Sequence, residues 1–158
     1  MRIKDGPIQG VIVRDLVKHA DQRGWLTELF RSDEIASELL PVMSYVSSTD
    51  PGVVRGPHEH REQTDVFCFM GPSNFRIYLW DNRKESATHA NKMVLEAGED
   101  HPRSIIVPAG VVHAYRNIGS RAGWSMNFSN RLYAGNMRKE PVDEIRHEND
   151  PHGPFRMD

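Results

Sequence analysis

Short β-rich segments, some apolar throughout and some alternating apolar with polar residues, run along most of the chain, and clusters of Gly, Pro, Asn and Asp separate them. A period of two places successive side chains on opposite faces of a strand. The pattern predicts strands near 10–17, 25–30, 42–48, 65–70, 75–81, 91–97, 103–108, 112–117 and 123–129. Regular spacing of short strands between turn residues points to an all-β sandwich or barrel. One short helix is expected from Ser32, a capping residue, through the acidic pair Asp33 and Glu34 and "EIASELL" to Pro41. The tail over 137–158 is polar and Pro-rich and reads as an irregular wrap over the strands or a loose end.

The chain has 158 residues, a formal net charge of −2, 38% hydrophobic and 27% charged residues. That length fits one domain with a core of its own. Both signs of charge are scattered, without the basic stripe that nucleic-acid binding needs. No apolar run approaches the ~18 residues of a membrane-spanning helix, and the first residues lack the apolar stretch of a signal peptide. The only cysteine, Cys68, lies in "VFCFM" and reads as a buried, unreactive thiol. These features predict a cytoplasmic protein without disulfides.

Candidate chemistry sits in two stretches. "VVRGPHEHREQTDVFCFMG" sets His58 and His60 one residue apart, so on a strand both face one space. "VPAGVVHAYRN" carries His113 three residues after Gly110. The histidines suit proton transfer near neutral pH. With Asp65 they also form a donor set of three imidazoles and one carboxylate, suited to a divalent Fe, Mn, Ni or Zn ion. The bland alternative is a set of polar residues at a strand mouth. Tyr45, Tyr78 and Tyr115 read as wall residues, Trp25, Trp80 and Trp124 as core or interface, and His19, His89, His101, His147 and His152 are assigned no role.

These stretches resemble the two motifs of the cupin superfamily: His58, His60, Asp65 and Gly71 match the first, and Pro108, Gly110, His113 and Asn117 the second. The resemblance implies a double-stranded jelly-roll β-barrel. A closer likeness is to the dTDP-4-dehydrorhamnose 3,5-epimerases. "DQRGWLTELF", "VVRGPHEH", "VPAGVVHAY" and "DEIRHENDP" follow that family's signatures in order from residue 21 to 151. The likeness implies abstraction of protons α to the ketone of a nucleotide-linked 4-keto-6-deoxy sugar, with His58 as base, and neither cofactor nor metal. It also implies nucleotide-sugar contacts from Arg23, Glu28, Arg55, Gln63 and His113. A homodimer is implied, with residues 10–30 at its interface.

Three positions depart from the family. Its lysine is replaced by Asp65; its acid tyrosine falls near Met126, which leaves Tyr133 as the nearest phenol; and its late aspartate would lie beyond Asp158. Double epimerisation is therefore left open, with His60 or Tyr133 as the acid. Three rivals stay in view. "RGPHEH" is similar to the Arg-Gly-x-His-x-His of sugar-nucleotide 3,4-ketoisomerases; the donor set allows a metal-dependent enzyme; and loss of the acid would leave a sugar-binding module.

Overall fold

The computed structural model describes residues 1–150 and 152–157; Pro151 and Asp158, at the end of the expected tail, lie outside the described residues. Thirteen strands form: β1 (Lys4–Asp5), β2 (Ile12–Asp15), β3 (His19–Asp21), β4 (Gly24–Leu26), β5 (Met43–Thr49), β6 (Val54–Glu59), β7 (Asp65–Phe69), β8 (Asn74–Asp81), β9 (Asn91–Gly98), β10 (Arg103–Val107), β11 (Val111–Asn117), β12 (Gly123–Ser129) and β13 (Ile145–Arg146). One sheet runs β1-β9-β8-β11-β6-β13, a second β2-β10-β7-β12-β5, and β3 and β4 form a separate hairpin. The expected all-β class is met. The two large sheets face each other and are not closed into a barrel by ladder hydrogen bonds.

Alternate residues of both sheets fill the space between the layers. Phe67, Phe69, Ile105 and Val107 from the five-stranded sheet meet Phe75, Ile77, Leu79, Val111 and Tyr115 from the six-stranded one. Ring contacts such as Phe69–Phe75 at 5.2 Å and Phe67–Tyr115 at 6.0 Å bridge the layers. Each fully buried aromatic or aliphatic side chain contributes about 1.5–3 kcal/mol. Tyr78, Trp80, Val112 and Ala114 face outward from the six-stranded sheet, where Phe155 of the tail covers them. The tail is thus a wrap, and β13 adds it to the sheet edge beside β6.

Two expectations need correction. The helix near 32–40 is a single 3-10 turn at Ser37–Leu39. A segment this short nucleates poorly, and side chains from elsewhere claim its carbonyls: Arg14 donates to the Glu34 carbonyl at 2.9 Å and Asn130 to the Glu38 carbonyl at 3.0 Å. The strand expected over 25–30 stops at Leu26, where β4 closes its hairpin with β3. Beyond it the chain crosses the outer face of the five-stranded sheet, with Phe30 against Phe128 at 5.3 Å.

The feature that aims the site is a bulge in β6. His58 pairs with His113 and Arg55 with Tyr115, so two residues, Gly56 and Pro57, oppose Ala114 alone. Without the extra residue, positions 55 and 58 would point to opposite faces; with it, Arg55 and His58 share the inner face. Gly56 has φ +80°, and a Cβ there would stand 2.5 Å from the His113 carbonyl oxygen. Gly56→Ala combines left-handed strain with a backbone clash and is expected to cost at least about 1–3 kcal/mol, read as a lower urea midpoint at unchanged slope.

Candidate functional site

His58 lies near the end of β6, His60 just past it, Asp65 at the head of β7 and His113 on β11. Their convergence is the register consequence of pairing β6 with β11 and of the short 60–64 connection. The rings of His58 and His113 stand 4.3 Å apart and those of His58 and His60 5.7 Å, by centroid. In front of them opens a cavity of about 650 Å³, lined by His58, His60, Tyr45, Tyr133, Glu144 and Arg146 among others. That volume suits a sugar nucleotide part rather than a macromolecule. His113 and Asp65 are buried one layer behind this wall.

The proton inventory follows from hydrogen bonds. His60 Nδ1 meets the Asp143 carbonyl and His113 Nδ1 the Val111 carbonyl at 3.1 Å. A carbonyl only accepts, so both Nδ1 atoms carry hydrogen. The Nε2 atoms then hold lone pairs when the rings are neutral, yet both face Asp65 Oδ2, at 3.3 Å from His60 and 3.7 Å from His113. Lone pairs aimed at a carboxylate repel it unless a cation lies between. Burial opposes a charge on His60, but the Asp65 carboxylate and the Asp143 carbonyl outweigh it and raise the His60 pKa. Burial likewise opposes charge on Asp65, yet the His60 hydrogen bond and neighbouring imidazoles bring it down to about 2. Asp65 thus favours the protonated form of His60, and the imidazoles around Asp65 favour its carboxylate. Gln63 and Asn127 donate to Asp65 Oδ1, each at 2.9 Å.

His58 is the opposite case. Burial first, then His113 and His60, lower its pKa to about 2. Its Nε2 faces Glu144 Oε1 across 3.9 Å, too far for a hydrogen bond. It is a neutral imidazole on the cavity wall, able to accept a proton when negative charge develops beside it.

The tail supplies what the sequence reading missed. Asp143 accepts the backbone N–H groups of Arg61, Glu62 and Gln63, each at 2.9 Å, and so holds the connection that carries His60. Its partial burial works to raise its pKa, but those three donors hold it below the ordinary carboxylate value. Glu144 faces His58, and His147 Nε2 bonds Glu59 Oε1 at 2.9 Å. No spacing announces these residues; the sole signal is the acidic pair inside the family-like stretch "DEIRHENDP".

The other expected site residues are divided. Arg55 shares the His58 face and donates to Thr49 Oγ1 at 2.9 Å and the Ser48 carbonyl at 2.8 Å. Gln63 is turned inward to Asp65. Tyr133 lies exposed on the cavity rim. Arg23 and Glu28 are not brought to the cavity within one chain. Arg23, at the hairpin turn, is 83% exposed and pairs with Asp21 at 2.5 Å, and Glu28 meets Arg31 at 3.4 Å. Met126 alternates with Ser125 and Asn127, which face the interior, and so points away from the site. Cys68 is buried, and burial pushes its thiol up to about 12, as expected of an inert residue.

The sign of these shifts sets an acid limb. His58 and His113 are depressed, so their contribution is complete above the unfolded value near 6.5 and is lost as pH falls. His60 is raised and opposes them, being most favourable below that value. Below ~6.5 His60 is protonated in both states and adds no slope, so the balance is up to two protons, and unfolding free energy should fall by up to about 2.7 kcal/mol per pH unit. Asp65 adds to the loss only as pH drops from the ordinary carboxylate range toward 2. His58→Asn should flatten the limb between pH 6.5 and 4, as measured by urea unfolding across pH.

A probable low-salt glycan biosynthesis epimerase, Agl13, of Haloferax volcanii is 41% identical over 128 residues, 80% of this chain and 81% of that protein. The spore coat polysaccharide biosynthesis protein SpsL of Bacillus subtilis is 38% identical over 112 residues, 71% and 73% of the two chains. The crystal structure of a dTDP sugar isomerase from Desulfovibrio desulfuricans superimposes with TM-score 0.79 at 18% identity, covering 91% of this chain and 87% of that one, and so shares the fold. Residues 5–143 match the family described as dTDP-4-dehydrorhamnose 3,5-epimerase, a span that holds every histidine of the cluster and ends at Asp143, and the chain belongs to that family.

Proposed function

We propose that the protein epimerises a nucleotide-linked 4-keto-6-deoxy sugar, with His58 removing a proton α to the C4 ketone. The observation that carries this is the placement of two imidazoles on one cavity wall, 5.7 Å apart, of which His60 has the Asp65 carboxylate 3.3 Å from its Nε2 and His58 does not. Abstraction makes an enolate, and an imidazolium in the wall stabilises it. The family's lysine is absent, and the charged His60 offers the positive charge instead. A base of low pKa works here because its imidazolium forms beside the enolate it has created.

The cation between His60, His113 and Asp65 is read here as that proton. A divalent ion would be held by His58, His60, His113 and Asp65, whose donor types fit one, and would supply a Lewis acid. The reading without metal requires that activity survive dialysis against EDTA and that purified protein carry well under one equivalent. A stoichiometric transition metal whose removal abolishes turnover would replace it.

Arg23 and Glu28 fit a symmetric dimer, in which the β3–β4 hairpin reaches the partner's cavity. The exposed Trp25 and Leu26 on β4 and Ile12 on β2 supply apolar area for such a contact. Arg23→Ala and His58→Asn, each impaired alone, should then restore activity when co-assembled, because one of the two cavities escapes both defects. A monomer in light scattering at micromolar concentration overturns the arrangement.

The reaction itself is tested by solvent exchange. In D2O with a dTDP-4-keto-6-deoxyhexose, deuterium should enter C3, with C5 as well for a double epimerase. His58→Asn should lower the rate by about 10²–10⁴-fold with nucleotide-sugar affinity nearly kept. Tight binding without exchange would leave a binding module, and a product with its ketone at C3 would indicate the ketoisomerase.

A further inference from the structure

Inversion at carbon needs a proton donor on the face opposite the base. His58 and His60 both come from one end of β6, in the six-stranded sheet, so neither stands across a bound ring from the other. The position that resemblance gives the acid is Met126, which has no proton to give and points away. Tyr133 is on the rim loop; its backbone N–H donates to Met43 Sδ at 3.5 Å, and among the described residues no hydrogen bond holds its hydroxyl. Tyr45 differs on each count. It projects from β5, in the five-stranded sheet, and lines the same cavity as His58 from the other layer.

Its hydroxyl is also oriented. Asn127, its cross-strand neighbour, donates Nδ2–H to Tyr45 Oη at 2.8 Å and to Asp65 Oδ1 at 2.9 Å. Because Asn127 fills an acceptor position on Oη, the phenolic hydrogen is left to point elsewhere, and the open direction is the cavity. The same N–H would stabilise a phenolate. Asn127 thus ties the phenol to the carboxylate that holds His60 charged.

We propose that Tyr45 is the catalytic acid, delivering a proton to the face of the sugar opposite His58. The inference rests on the epimerase reading above. The C–H bond at the carbon next to the ketone breaks, its proton goes to His58, and its electron pair forms the C=C bond of the enolate as the carbonyl π pair moves to oxygen. The C=O then re-forms, the enolate pair takes the Tyr45 hydroxyl proton on the other face, and the phenolate is held by Asn127. Tyr45 is half-exposed to the open cavity, so water returns its proton, and His58 releases the abstracted proton to water.

The test is Tyr45→Phe, which removes one oxygen and keeps the ring, with the substrate above in D2O and with Tyr133→Phe as comparison. Inverted product should fall by at least about 10²-fold, while deuterium still enters the same carbon with retained configuration, because His58 still abstracts and returns a proton. His58→Asn should lose both. Inversion within about threefold of wild type in Tyr45→Phe, or joint loss of inversion and exchange with substrate affinity intact, overturns the assignment. Should Tyr45→Phe unfold, a single turnover of wild type in D2O decides. Two groups on two faces require deuterium in every inverted product molecule, and internal return of protium excludes a separate acid. A wild type that neither inverts nor exchanges defeats the epimerase reading itself, a result distinct from failure of Tyr45 alone.

Discussion

A carboxylate buried without solvent is the constraint around which this molecule is arranged. Asp65 is 1% exposed, and an ionised carboxylate in such a place is tolerated only when it is paired and hydrogen-bonded. Its partners come from widely separated parts of the chain: His60 from the end of β6, His113 from β11, Gln63 from the connection and Asn127 from β12. Satisfying it pulls the two sheets together at the cavity floor. It also sets the protonation of the wall, since the charge on Asp65 makes His60 the ring that keeps a proton. Removing either member would strand the other, which is costlier than never having had the pair.

From that pair the division of labour among histidines follows. Three imidazoles within a few ångströms cannot all be charged, because each raises the cost of charging the next. The one whose Nε2 lies 3.3 Å from Asp65 has its protonated form favoured, and His58, flanked by His113, has its neutral form favoured. A neutral acceptor and a charged stabiliser side by side are what enolisation next to a ketone needs. The tail completes the arrangement: Asp143 binds three backbone N–H groups of the segment that carries His60, and β13 lies along β6. A segment that reads as an irregular wrap or a loose end is therefore part of the cavity wall.

The all-β class and most strands were legible because short β-rich runs lie between turn residues, and the wall histidines were legible because His58 and His60 sit two apart and His113 follows a turn. The failures share a cause. The helix near 32–40 has adequate local propensity, but Arg14 and Asn130, which reach it only after folding, bind its carbonyls. Strand β6 is absent from the predicted set because Gly56 and Pro57 interrupt its pattern, and these residues make the bulge that turns His58 inward. Tyr45 was read as wall because nothing near it in sequence marks a phenol as oriented; its partner Asn127 is 82 residues away.

By itself, the sequence determined the strand pattern, the inert cysteine, the histidine pairing and, through its signatures, the family. Those properties are local: periodicity, side-chain chemistry and spacing within about a dozen residues. Tertiary structure decided which histidines lie against Asp65, which phenols line the cavity and that the tail walls it. Each depends on the distance between groups far apart in the chain, and both Coulomb energy and hydrogen bonding vary with that distance. Arg23 and Glu28 mark the boundary between the two: their residue types match the family, but one folded chain leaves them on an exposed hairpin segment away from the cavity.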